Sequence, residues 1–321
     1  MKKKVLVTGG TGFVGAAVLA RLLLRDDMQV LAWTRRTGAS LPAGVIAVPG
    51  SSSRVFAAGA PVADLHTVVH CAGRVHVMRE TASSPLEAFR EANVDLTIRL
   101  ARLAVGYGAR RFVFLSTVKV HGESSRPGHP WSADDRVAPA DPYACSKYEA
   151  EQALIELSEQ TGLEVVIIRL PLVYGPGVKA NFQTLMRWVS RGVPVPVGLV
   201  KNRRTMVALD NLVDLIELCI VHPEARNQVF MAGDGESLAT PELLRRTASA
   251  MGCRAWLPPV PPAILEAAAR ASGQLGIFRR LCGSLEVDID KTRQVLGWVP
   301  PVSVDQALRR TVEDFLRNQR K

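Results

Sequence analysis

The stretch Val5-Leu-Val-Thr-Gly-Gly-Thr-Gly-Phe-Val-Gly15 constrains the fold of this chain more than any other. Three apolar residues lead into Gly9, Gly12 and Gly15, and the amphipathic run Phe13–Arg25 follows. A strand that breaks on glycines into a helix collects backbone N–H groups and a positive helix end at one point, which suits a pyrophosphate. Gly9 permits a tight turn, Gly12 lets phosphate approach the backbone, and Gly15 allows the helix to pack closely on the strand. The spacing is GxxGxxG, one residue longer than the commonest dinucleotide fingerprint. A glycine-rich turn alone is weak evidence; flanked by a strand and a helix it predicts a dinucleotide-binding βαβ unit.

Further along, Gln29–Trp33 reads as a second strand ending at Thr34-Arg35-Arg36. The end of that strand meets the adenosine ribose, where a carboxylate suits NAD and an arginine suits a 2′-phosphate. No carboxylate lies near Arg35 and Arg36, so NADP(H) is expected over NAD(H), with NAD(H) still possible. Solvated loop arginines are the plainer alternative. Val45–Val48 is a short third strand and Thr67–Cys71 a fourth, with small residues Ala72-Gly73 leaving room for a cofactor. Leu86–Tyr107 is a long helix holding Asn93, and Arg111–Ser116 is a fifth strand. Buried strands alternating with amphipathic helices predict an α/β fold, a Rossmann-type doubly wound parallel sheet.

Residues 121–140, rich in Gly, Pro, Ser and charge, form a loop too long for a mere connector and read as a lid or binding segment. Asp141-Pro142 opens the next helix as N-cap and first helical residue. Val165–Arg169 is a sixth strand, followed by Pro171-Leu-Val-Tyr-Gly-Pro-Gly177. Helices are then expected at 181–191, 209–221, 240–251, 261–275 and 303–319, with short strands near 228–232 and 285–288. Helix 261–275 reads as a core helix, with an interface or membrane-surface role as the alternative. The expected division is 1–175 as the dinucleotide-binding domain and 176–321 as mainly a substrate lobe, some of whose segments return to the first domain.

At 321 residues the chain is long enough for such a two-lobed core. Its five cysteines, 71, 145, 219, 253 and 282, are scattered and lack CxxC spacing. They suggest neither a disulfide framework nor a zinc site, and a cytoplasmic location is expected. Lys2-Lys3-Lys4 precedes too short an apolar run for a signal peptide, and no segment approaches the length of a membrane span. The formal net charge is +10. Without aromatic–basic interleaving, a nucleic-acid partner is not expected, and the charge is read as serving anionic ligands and solvating helices.

Tyr143-Ala-Cys-Ser-Lys147 places a phenol and an ammonium four residues apart, on one helical face. Tyrosine ordinarily titrates near 10, roughly, and a nearby cation favours the phenolate. Such a pair exchanges a proton with an alcohol while hydride moves to or from a nicotinamide. With TGGTGFVG (8–15), HCAG (70–73), STVKVHG (116–122), YACSK (143–147) and PLVYGPG (171–177), the chain resembles the extended short-chain dehydrogenases/reductases of the NAD(P)-dependent epimerase/dehydratase family, which act on nucleotide sugars. RRTMVALDNLVDLI (203–216) and DIDKTRQVLGW (288–298) extend the likeness over essentially the whole chain.

The resemblance implies a catalytic trio of Thr117, Tyr143 and Lys147, with Ser116 a lesser alternative to Thr117. It implies a cofactor held by Gly9, Thr11, Gly12, Phe13, Val14, Gly15, Arg35, Arg36, Cys71, Ala72, Gly73, Asn93, Tyr143, Lys147, Pro171 and Val173. A UDP-sugar would meet Thr117, Tyr143, Asn181 and Arg203, with Arg204 facing elsewhere. No metal is implied. A homodimer through helices at about 86–107 and 143–161 would follow the family habit. Departures narrow the chemistry. Val118-Lys119 stands where sugar 4,6-dehydratases carry Asp-Glu, so a dehydratase is not expected. Arg35 and Arg36 stand where NAD-bound 4-epimerases carry an acid, and Ser51 or its neighbours replace the Asp that meets adenine. The expectation is therefore NADPH-dependent reduction of the C4 ketone of a UDP-4-keto-6-deoxy-N-acetylhexosamine for surface polysaccharide. The first alternative is an NAD-dependent UDP-sugar 4-epimerase. A non-catalytic NADP-binding regulator is a third, disfavoured because Tyr143 and Lys147 are both present.

Overall fold

The computed structural model describes residues 2–35, 38–51, 55–57, 59–75 and 84–319. The β-branched and apolar runs form seven parallel strands: β1 (Lys3–Thr8), β2 (Met28–Thr34), β3 (Ile46–Pro49), β4 (Leu65–His70), β5 (Arg111–Thr117), β6 (Glu164–Leu170) and, far along the chain, Gln228–Met231. Their order is β3-β2-β1-β4-β5-β6 with Gln228–Met231 at the far edge. Strands buried on both faces need helices on both faces. One face is covered by α1 (Phe13–Leu22) and Leu209–Val221, the other by the helices between β4 and β5 and by α4 (Pro142–Thr161). The strand order reverses between β1 and β4, which opens a crevice at their carboxyl ends.

The long helix expected at 86–107 runs as α2 (Pro85–Arg90), a wide π turn (Glu91–Asp95) and α3 (Leu96–Gly106). Asn93 sits buried inside that turn. Helix α4 starts as the residues dictate: Asp141 accepts the Ala144 N–H at 2.7 Å, and Pro142 occupies the first turn. At its end Gly162 takes the left-handed conformation, φ 74°.

The second half carries β7 (Leu172–Tyr174), α5 (Ala180–Ser190), β8 (Arg204–Ala208), α6 (Leu209–Val221), β9 (Gln228–Met231), β10 (Ser237–Leu238), α7 (Thr240–Ala250), α8 (Pro262–Ala271), α9 (Leu275–Cys282), α10 (Asp290–Leu296) and α11 (Val304–Gln319). Helix α6 packs on α1, and β9 joins the large sheet, so 209–231 returns to the first lobe. Strands β10, β8 and β7 form a separate small sheet with its own core around Tyr174, Phe182, Met206 and Leu308.

Two expectations need correction here. The helix at 261–275 breaks at Gly273, φ 68°, into α8 and α9, and neither buries a residue, so it is not a core helix. Its apolar content is mostly alanine, too small to fill the space beneath. The strand near 285–288 reduces to isolated bridges, Leu285 to Arg204 and Val287 to Trp131. The 121–140 loop is bound to this segment through Ser125 N–H to Ser284 O and Trp131 N–H to Glu286 O.

Candidate active site

The glycine-rich turn makes the phosphate end of the site. Gly9 takes φ 68°, outside the range of most side chains, and a Cβ there would press on the Ala72 backbone. A Cβ on Gly15 would collide with the Gly9 carbonyl, so only glycine lets α1 start this close to β1. Gly12 is the N-cap of α1 and offers no side chain to its first-turn amides. Those amides, of Phe13, Val14 and Gly15, have no intrahelical acceptor and would meet an anion bound at the positive helix end. Thr11 and Gly12 are exposed at its lip. These observations fit a dinucleotide pyrophosphate.

A directional hydrogen-bond chain joins this turn to α4. The Ala72 N–H donates to Thr8 Oγ1 at 3.1 Å, and Thr8 meets His70 Nδ1 at 2.9 Å. His70 Nε2 meets Thr97 Oγ1 at 3.0 Å, and Thr97 donates to the Asn93 carbonyl at 2.7 Å. Because the Thr97 hydroxyl proton is committed to that carbonyl, His70 donates from Nε2 and accepts at Nδ1. The Asn93 amide donates to Ser146 Oγ at 3.0 Å, and Ser146 donates to the Tyr143 carbonyl at 2.8 Å. Burial holds the His70 imidazole neutral, pushed down to about 3 with help from the Lys147 charge. Thr8 and His70 fall in the motifs at 8–15 and 70–73, but their link to each other and to Thr97 of α3 joins three segments too far apart in the chain for any motif to show.

Thr117 ends β5 and Tyr143 opens α4, and the Thr117 side chain lies within hydrogen-bonding reach of the phenol. Lys147 follows one helical turn later, buried, with its ammonium 4.0 Å from the centre of the Phe114 ring. Burial pushes the Lys147 ammonium down to about 8, while Glu151 and Cys71 work against that shift. The phenol behaves otherwise than expected. Burial and then the Asp141 carboxylate push Tyr143 up to about 12, with the Thr117 hydrogen bond acting the other way and no contribution from Lys147. Asp141 spans the site's edge, capping α4 with one oxygen and receiving Lys119 Nζ on the other at 2.9 Å. Beside Thr117, the Ser116 hydroxyl is buried and lacks a partner among the described residues.

The remaining expected residues spread around this crevice. Cys71, Ala72 and Gly73 follow β4, and a Cβ on Gly73 would come within 3.8 Å of Lys147 Nζ. Burial raises the Cys71 thiol to about 12, which leaves it unreactive. Pro171 lies just past β6, Val173 within β7, and Arg35 is exposed at the end of β2. Arg36 lies outside the described residues. Ser51 stands two residues beyond β3. Asn181 is exposed in the first turn of α5, next to Ala180 with an unusual φ of 54°. Arg203 is tied to the buried Glu286 at 2.7 Å. Arg204 turns inward, its titration lowered by burial, and donates to the Gly283 carbonyl at 3.0 Å. No group of three or more metal-ligating side chains occurs among the described residues.

A model of the NAD dependent epimerase/dehydratase family matches residues 5–233, which hold the turn, the trio and β7. The chain belongs to the NAD-dependent epimerase/dehydratase family. This epimerase/dehydratase-family enzyme is 41% identical to a UDP-glucose 4-epimerase of Vibrio cholerae over 99% of its own length and 97% of the relative's. To a UDP-glucose 4-epimerase of Mycolicibacterium smegmatis it is 29% identical, covering 98% of this chain and 99% of that one. Its fold is that of the UDP-glucuronic acid 4-epimerase from Bacillus cereus in complex with NAD, at TM-score 0.77 and 17% identity over 98% and 99% of the two chains. A UDP-glucose 4-epimerase from Thermotoga maritima with UDP-glucose aligns at TM-score 0.76 and 22% identity over 99% and 100%. The family member is thus an NAD(P)-dependent enzyme of the extended short-chain dehydrogenase/reductase type.

Proposed function

We propose that this enzyme is a UDP-sugar 4-epimerase that retains its NAD(H) through the cycle. The observation that carries the reading is the convergence of Thr117, Tyr143 and Lys147 at the carboxyl end of β5 and the start of α4, with no carboxylate in the two positions that follow Thr117. Val118 and Lys119 stand there; Lys119 is bound to Asp141, and the two offer no acid–base pair for eliminating water. The 41% identity to a UDP-glucose 4-epimerase over nearly the whole chain supports epimerisation above net reduction.

Bound in the crevice, an oxidised nicotinamide dinucleotide supplies a hydride acceptor and a positive charge. Tyr143 would take the proton from the C4 hydroxyl as hydride leaves C4, and give it back to the C4 oxygen once the 4-keto sugar has turned and hydride returns to the opposite face of C4. Thr117 holds that oxygen by a hydrogen bond. Burial and the Asp141 carboxylate push the Tyr143 phenol up to about 12, so the positive ring of a bound oxidised cofactor would be what favours the phenolate, while Lys147, one turn along α4, would hold the nicotinamide ribose. Asn181 and an arginine would hold the diphosphate. Arg204 suits this better than Arg203, whose charge is already met by Glu286. A homodimer through α2–α3 and α4 is proposed with it, and Leu103, Tyr107 and Ile155 stand exposed on those helices and the turn after α3.

Replacing Tyr143 with Phe should lower turnover by about 10²- to 10⁴-fold and leave cofactor affinity nearly unchanged. A Tyr143→Phe enzyme that still turns over well would remove the assignment. The NADPH-dependent C4 ketone reductase remains as a second reading because Arg35 ends β2 and no Asp or Glu occurs between Asp27 and Asp64. Protein that is purified without bound nucleotide, and that prefers NADPH to NADH until Arg35 is replaced with Ala, would favour it.

A further inference from the structure

Two segments far apart in the chain, 175–202 and 251–284, meet around an apolar cavity of about 340 Å³ whose lining includes none of Thr117, Tyr143 and Lys147. Its walls are the 193–197 turn with Trp188 on one side, and Leu265, Ile277, Phe278 and Leu281 of α8–α9 on the other. The backbones are joined by Val195 N–H to Trp256 O and Gly198 N–H to Pro258 O. Helices α8 and α9 therefore roof the cavity, with Leu265 and Cys282 packed against the small core around Val195, Val197 and Leu244 and no residue of either helix fully buried.

The surface of this lobe is unlike the rest of the molecule in two independent ways. Segment 175–202 holds Lys179, Arg187, Arg191 and Lys201 and no acidic residue. Segment 251–284 holds Arg254, Arg270, Arg279 and Arg280 against one acid, Glu266, itself paired with Arg270 at 2.6 Å. Under a fifth of the chain thus carries seven of its ten net positive charges. The same two segments hold five of the twelve exposed large apolar side chains among the described residues: Val193, Leu199, Trp256, Ile264 and Ile277. Trp256 is 61% exposed and Ile264 59%.

We propose that the α8–α9 face docks on an anionic lipid surface. Amphipathic helices that combine arginine with exposed isoleucine, here beside Trp256 in the segment leading into α8, lie at a headgroup boundary, apolar side chains inserted and cations on lipid phosphates. A second copy of the chain is the poorer occupant, because like-charged faces repel. Nucleic acid is poorer too. Its bases need stacking platforms, and the exposed apolar side chains of these segments other than Trp256 are aliphatic.

The full-length protein should co-sediment with vesicles of equal parts phosphatidylglycerol and phosphatidylcholine at least about tenfold better than with phosphatidylcholine alone. Replacing Ile264 and Ile277 together with Ser, and separately Arg279 and Arg280 with Ser, should each weaken that binding by roughly tenfold, while turnover of a soluble UDP-sugar is unchanged. Equal binding to both vesicle types, or none, overturns the proposal. Binding that ignores the isoleucine substitutions also overturns it, because it would then report net charge alone. An oligonucleotide that binds as tightly and is lost in the same variants would reassign the face to nucleic acid.

Discussion

Asp141 and Tyr143 show how a residue's sequence role and its electrostatic role diverge. Asp141 is legible as an N-cap, and the structure confirms the bond to Ala144 at 2.7 Å. Its effect on the phenol two residues later is not legible, since it depends on how deeply both sit. The carboxylate adds to burial in raising Tyr143 to about 12. Asn caps a helix as well as Asp does. Replacing Asp141 with Asn should therefore keep the helix and move the apparent phenol pKa in the pH profile of kcat/KM to lower pH. Loss of the Lys119 partner acts in the same direction, because the freed ammonium favours the phenolate. An unmoved profile with reduced stability would make Asp141 purely structural. The spacing of Tyr143 and Lys147 is likewise legible, but not that Lys147 rests on Phe114 and loses part of its affinity for the proton.

Elements separate by length and by what they bury. The six strands read from buried runs all lie in the large sheet, because short runs of apolar and β-branched residues fit a strand covered on both faces. The small sheet of β7, β8 and β10 is illegible: its strands have three, five and two residues, too short for periodicity to register. The π turn at Asn93 is illegible too, since a single extra residue per turn leaves the apolar pattern of the helix intact. Helix α8–α9 misleads because its alanine-rich composition looks like a core. The 121–140 loop is fixed from an unexpected side, by Arg169 of β6. That buried guanidinium binds Glu151 of α4 at 2.6 Å, His121 at 2.9 Å and the Ala133 carbonyl at 2.9 Å. Removing one partner leaves an uncompensated buried charge. Arg169→Met should cost about 3–5 kcal/mol in urea denaturation, and adding Glu151→Leu should recover most of it. A double variant as unstable as the single one would show that the packing around Arg169, not its charge, holds the loop.

For the molecule as a whole, acid is the expected weakness. His70 is pushed down to about 3 and His121 to about 4, each mainly by burial, with Lys147 and Arg169 respectively adding to it. Both folded values lie below the ordinary value of 6.5. The unfolded chain therefore binds more protons over this range. The stability from neutral histidine is complete above pH 6.5 or so and is lost as pH falls toward the folded values. Between pH 6.5 and 5, above the range of most carboxylates, the two together should remove roughly 3 kcal/mol or more of unfolding free energy. A flat stability over that interval would contradict the assignment of two buried neutral rings.

The central claim is that Thr117, Tyr143 and Lys147 carry a C4 oxidation and its reversal on one UDP-sugar with a retained cofactor. It is tested most directly by incubating the purified protein with UDP-glucose deuterated at C4 and following both the NMR spectrum and nicotinamide absorbance. The account predicts that the C4 epimer forms with deuterium still at C4, with no net change in reduced nicotinamide. No epimer, together with stoichiometric consumption of added NADPH by a UDP-4-keto-6-deoxy sugar, would contradict it and make the enzyme a reductase.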